Sequence, residues 1–167
     1  DADYLGSSLS WNQMIIWTEA SNLIGIGHLM ETLALAEGCK NLERVHCVTT
    51  DFAPAKIILE ERNIPYLTSS LDYGIRAIMS LANFEDDFVV VNHRSVDISH
   101  LQKLRELNRK TAVIDQLGQK KIDADLLINS SITEEWLHYH FIGRIPKCLF
   151  GPRYALLREE FGNLPAN

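Results

Sequence analysis

The chain has 167 residues, 46% hydrophobic and 23% charged, with a formal net charge of -6. That is enough apolar material to bury one core and too little chain for a large second domain. The acidic balance and a pI near 5.5 exclude a generic nucleic-acid surface, which needs clustered Lys and Arg. Cys39, Cys47 and Cys148 are far apart and form no CxxC pair, so neither a disulfide framework nor a zinc site is indicated and a reducing cytoplasm is expected. No apolar run approaches the ~20 residues of a membrane span, and the first residues lack the basic and apolar regions of a secretory leader.

Residues 1–13 (DADYLGSSLSWNQ) are polar and read as a linker or cloning remnant. After them, strand-like runs fall at MIIWT (14–18), RVHCVTT (44–50), IPYLTS (64–69), DFVVVN (87–92), TAVID (111–115), DLLIN (125–129) and KCLFG (147–151). Helical patterns lie between: HLMETLALAEG to Gly38, PAKIILEERN to Asn63, LDYGIRAIMSLAN to Asn83, and ISHLQKLRELNRK to Lys110. Unbroken apolar strands such as FVVV suit a parallel sheet covered on both faces, and the strict alternation is that of βαβ units. The expectation is an α/β fold with a doubly wound, mainly parallel, Rossmann-like sheet spanning 14–161. The run Gln119-Lys120-Lys121 reads as a loop, and LRELNRK reads as a solvated helix face.

In such sheets ligands sit beyond the carboxyl ends of the strands. Four places qualify: the loop Gly25-Ile26-Gly27-His28 after the first strand, Asn92-His93-Arg94 after FVVV, Asp115-Gln116 after TAV, and GPRYALLREEF (151–161). The last is expected to be a Gly-Pro turn leading into an amphipathic helix and contributes Tyr154. Gly25 and Gly27 permit close backbone approach to a ligand. His28 would stand in the first turn of the helix, where the dipole favours the neutral imidazole that a general base requires. With one ring nitrogen on a carboxylate, Glu19 or Asp115, and the other on water, it would activate that water. The alternative is structural: glycines at βα turns often serve packing alone, there is no GxGxxG because Glu31 follows Met30, and His93 reads equally as a hydrogen-bonded turn residue. His46, His100, His138 and His140 show no metal spacing, so no metal or cofactor is expected.

The segments EASNLIGIGHLMETLALA, VVVNHRSVD, VIDQ, DLLIN and FGPRYALLREEF together resemble the amino-terminal half of the PseG/SpsG family, nucleotide-sugar hydrolases of pseudaminic acid biosynthesis and spore-coat polysaccharide proteins. IGIGH and YALLREEF carry the likeness most specifically. The resemblance implies a fold like the amino-terminal half of a glycosyltransferase-B architecture and metal-free release of UDP from an amino-deoxy sugar. It implies His28 as the base, with Glu19, Gly25, Ile26, Gly27, Asn92, His93, Asp115, Gln116 and Tyr154 on the substrate side. It also implies a carboxyl-terminal domain that grips the nucleotide, with 162–167 as the start of the linker to it. The chain departs from the family pattern at ligand-facing positions. Trp17 and Glu19 stand where an Arg and an Asp are typical, Glu31 replaces an Arg, Arg94 a Tyr, and Gln116 an acid. An Arg exchanged for Trp or Glu does not hold the same anion. Three readings therefore stand together: a nucleotide-sugar hydrolase half, the acceptor-side domain of a glycosyltransferase, and a non-catalytic binding or assembly domain of the same fold.

Overall fold

The computed structural model describes residues 13–39, 44–82, 87–118, 120–131 and 137–157. Seven parallel strands form one sheet: β1 (Met14–Thr18), β2 (Val45–Thr49), β3 (Tyr66–Thr68), β4 (Phe88–Asn92), β5 (Lys110–Ile114), β7 (Leu126–Asn129) and β9 (Lys147–Phe150). Two short strands, β6 (Lys121–Ile122) and β8 (His140–Phe141), pair separately in parallel. The main sheet runs β3-β2-β1-β4-β5-β7-β9. The chain thus winds outward from β1 through β2 and β3, returns to the middle at β4, and winds outward the other way. The doubly wound Rossmann-like expectation holds.

Side-chain alternation explains the unbroken apolar strands. Met14 and Ile16 of β1, with Val90, Ala112 and Ile128, pack under helices α1 (Gly27–Gly38) and α2 (Ala53–Glu61), through Leu29, Leu33, Ala55 and Leu59. Ile15 and Trp17, with Val89, Val91, Val113 and Leu127, face α3 (Leu71–Leu81) and α4 (Ile98–Glu106), through Ile78, Leu101 and Leu104. Every residue of β1 and β4 is buried because both faces are covered. Trp17 is 2% exposed and lies in this second layer. Gly74 of α3 admits it, since a Cβ there would stand 2.3 Å from the indole Cζ2.

Several boundaries differ from the sequence expectation, each for a local reason. Helices α2 and α4 stop before Asn63 and Asn108, which take left-handed φ values of 55° and 53°. The amides of Ile64 and Arg109 then reach back to the carbonyls of Leu59 and Leu104 at 2.9 and 3.0 Å, closing each helix end. Lys110, expected in the helix, opens β5 instead. Gln13, expected in the amino-terminal linker, is buried; its carbonyl accepts the Phe88 amide and its side chain donates to the Leu81 carbonyl. Lys121 begins a strand rather than lying in a loop. After Gly151, with φ of 99°, only a single 3-10 turn forms (Pro152–Tyr154), and Ala155 is extended with ψ of 128°, so the expected amphipathic helix does not start there. Residues 158–161 of that segment, and residues 1–12 and 162–167, lie outside the described residues. Asp97 caps α4 by accepting the Ser99 and His100 amides; the Ser99 hydroxyl, then the His100 ring, hold its carboxyl down at about 2.

Candidate functional site

The winding reverses between β1 and β4, and that switch point opens a crevice beyond their carboxyl ends. Glu19 follows β1, Asn92 ends β4 and His93 follows it. The loop 20–26 folds back on itself. Ser21 and Gly25 bridge each other, with the Gly25 amide 2.7 Å from the Ser21 carbonyl and Gly25 at φ of 74°. His28 is the second residue of α1.

Glu19 is the hub. Its side chain is 6% exposed; one oxygen, Oε1, accepts the Arg94 amide at 2.5 Å and lies 3.6 Å from Nδ1 of His28. The other, Oε2, lies 3.3 Å from Nδ1 of His93 and accepts the Ser95 hydroxyl at 3.4 Å. Nδ1 of His28 is buried with no hydrogen-bond partner, because the Glu19 contact is a few tenths of an ångström too long. The ring as a whole is 28% exposed, which leaves Nε2 as the nitrogen open to a ligand. Nδ1 of His93 also lies 3.2 Å from the Ser95 amide. One proton decides between these contacts: on Nδ1 it is donated to Glu19, and off Nδ1 the lone pair accepts the Ser95 N–H. Burial holds the His93 ring below the usual imidazole range, against the pull of Glu19.

A second carboxylate organises the other wall. Glu31 accepts Nδ2 of Asn92 at 2.9 Å and Nε2 of Gln116 at 2.8 Å, and Asn92 also donates to the His28 carbonyl at 3.1 Å. Glu31 therefore ties the start of α1 to the ends of β4 and β5. The third carboxylate, Asp115, accepts the Gly118 amide at 2.8 Å and the Tyr139 hydroxyl at 2.9 Å, and Lys120 Nζ stands 3.6 Å from it. Lys120 also donates to the His93 carbonyl at 3.3 Å, and Asn129 donates to Tyr139 at 2.8 Å. Burial, together with Asp115, keeps the Tyr139 phenol well above its ordinary range, so it remains a donor.

These groups surround a cavity of about 100 Å³ lined by His28, Asn92, His93, Arg94, Asp115, Gln116 and Lys120, with Ile114 and Leu117. The structure thus brings together residues from the loops after β1, β4 and β5. Of the two carboxylates considered for His28, Glu19 faces it and Asp115 is engaged elsewhere. A Cβ on either Gly25 or Gly27 would meet no atom within 4 Å, so the backbone there faces open space. Ile26 packs against the core. Tyr154 does not line the cavity: it packs on the α1 layer, as do Ile26 and Met30, with the Arg153 guanidinium 4.9 Å over its ring. Lys120, Tyr139 and Asn129 escaped sequence reasoning. Lys120 had a usable signal, since it falls five residues after Asp115 in a carboxyl-end loop. Among the described residues no group of three His, Cys, Asp or Glu is arranged to hold a metal, and no helix is long and apolar enough to cross a membrane.

The sheet order and the crevice make this a Rossmann-like α/β domain with a glycosyltransferase-B-like fold. The comparison that carries this is with the crystal structure of Acinetobacter baumannii MurG. The two superpose with a TM-score of 0.51 at 12% sequence identity, over 81% of this chain and 44% of that one. The chain therefore spans less than half the length of MurG, and at this identity the likeness is one of fold. No family model matches the sequence, and no curated protein matches it.

Proposed function

We propose that the chain is the sugar-side half of a nucleotide-sugar hydrolase, with His28 as general base, as in the PseG-like reaction that its motifs resemble. The observation that carries this reading is the Glu19–His28 pair: a buried carboxylate 3.6 Å behind Nδ1 of a partly exposed imidazole that lines a cavity. A small closing movement makes the Nδ1–H bond to Glu19 and leaves the Nε2 lone pair for water. Water then attacks the anomeric carbon, its proton passes to Nε2, and the bond from carbon to the phosphate oxygen breaks as UDP leaves with the electron pair. The open space before Gly25 and Gly27 admits the sugar close against the backbone. Asn92 and Gln116, held by Glu31, supply polar contacts. The grip on the nucleotide belongs to a carboxyl-terminal domain, and three free cysteines suit a reducing, cytoplasmic setting.

A second reading is favoured by the fold likeness to MurG: an acceptor-side domain of a glycosyltransferase, in which the same histidine deprotonates a sugar hydroxyl instead of water. The test is UDP release from a panel of UDP-linked amino-deoxy sugars by the full-length native protein. Release with water alone supports the hydrolase, and release only with an added acceptor supports the transferase. No release across the panel, with or without acceptors, overturns both and leaves a binding or assembly domain.

A further inference from the structure

A second cavity lies at the opposite end of the sheet. It measures about 350 Å³ and sits where α4 ends and β5 and β7 begin. Four of its nine lining residues are cationic (Arg105, Arg109, Lys110 and Arg144), against two carboxylates, Asp123 and Asp125. That is a local positive excess in a chain of net charge -6.

Both carboxylates are already engaged. Asp123 pairs with Nη1 of Arg105, and Asp125 pairs with Nη2 of Arg144 while accepting the Thr111 amide at 2.9 Å. These pairs orient the two guanidiniums without exhausting them, because each carries five N–H donors in a planar fork and its contact with the carboxylate engages one nitrogen. Arg144 remains 66% exposed in its side chain and Arg105 39%. A solvated helix face would spread such charges over the surface; here they converge from the end of α4, the entry to β5 and the β8–β9 connection on one concavity of ligand size.

We propose that this cavity binds a small polyanion of the phosphate class, at a site separate from the His28 crevice. The five residues of β5 join the two, which at ~3.3 Å per residue puts them about 17 Å apart. Bidentate guanidinium contacts suit phosphoryl oxygens.

Inorganic pyrophosphate is the probe, titrated into the chain at low salt and followed by amide chemical shifts. Saturable shifts centred on Thr111, Ala124 and Asp125, weakening as salt is raised, are expected. The Lys110→Gln/Arg144→Gln double variant should bind at least about tenfold more weakly, the equivalent of one lost charged contact. The proposal is overturned if no saturation occurs, if the wild-type shifts centre on Gly25 and His28 instead, or if the folded double variant binds as well as wild type. The wild-type shift map decides the location even if the variant folds poorly.

Discussion

Glu19 stands between two imidazoles, 3.3 Å from His93 Nδ1 and 3.6 Å from His28 Nδ1, and it is the first residue after β1. A buried anion in that position is held by the Arg94 amide and the Ser95 hydroxyl, so its charge is already solvated by the protein before either histidine contributes. Glu19→Gln keeps the shape and removes the charge that both rings face. Stability should fall by about 1 to 3 kcal/mol, the range for a disturbed buried polar network, and turnover should fall with it. Thermal melts and rates on the same preparation check this. An unchanged rate would mean that Glu19 serves the fold alone.

Stability should depend on pH through His93. Its ring is neutral in the folded state because burial lowers its pKa, whereas in the unfolded chain it titrates near ~6.5. The unfolded state therefore takes up a proton first. The contribution of the neutral ring is intact above that value and is lost as pH falls through the folded pKa. Urea unfolding at a series of pH values should show wild type losing more stability toward acid than His93→Gln. Parallel profiles would contradict it.

Two glycines should respond in opposite ways. Gly74→Ala would put a methyl 2.3 Å from the Trp17 ring, against a side chain fixed in the sheet's second layer, and should destabilise by about 1 to 3 kcal/mol. Gly27→Ala meets nothing within 4 Å and gains helix propensity at the start of α1, so the fold should hold or improve by up to about 1 kcal/mol. If the glycine loop receives the sugar, that same methyl fills ligand space, and KM for the nucleotide sugar should rise while the melting temperature does not drop. A Gly27→Ala protein with normal kinetics would remove the loop from the site.

UDP alone should bind this chain weakly. The crevice residues face three carboxylates, Glu19, Glu31 and Asp115, and among the described residues that line the cavity only Lys120 and Arg94 are cationic. Calorimetry should find no binding at micromolar UDP; a micromolar Kd would place the nucleotide on this half.

Much of the fold was legible because burial on both faces forces apolar residues at every strand position, and β1 and the helix starts followed directly. Helix ends were harder: Asn63 and Asn108 look helical by period but take left-handed backbone, which propensity alone does not reveal. The crevice was legible from topology, since strand ends in a doubly wound sheet must meet at the switch point; hence Glu19, His28, Asn92, His93 and Asp115. The Lys120–Asp115–Tyr139–Asn129 network was not, because it depends on β6 and β8, two-residue strands too short to show a period. Glu31 reads in sequence as a lost arginine, yet in space it is the clamp on Asn92 and Gln116.

The central claim is that His28 moves a proton. The most direct measurement compares His28→Asn with wild type in the full-length protein, on whichever nucleotide sugar it turns over, with kcat, KM and melting temperature taken together. The account predicts a kcat lower by roughly 10²- to 10⁴-fold, the usual worth of a general base, at nearly unchanged KM and melting temperature, because Nδ1 makes no hydrogen bond that the fold would lose. A lower melting temperature with a normal kcat would contradict it and leave His28 as a turn residue at the head of α1.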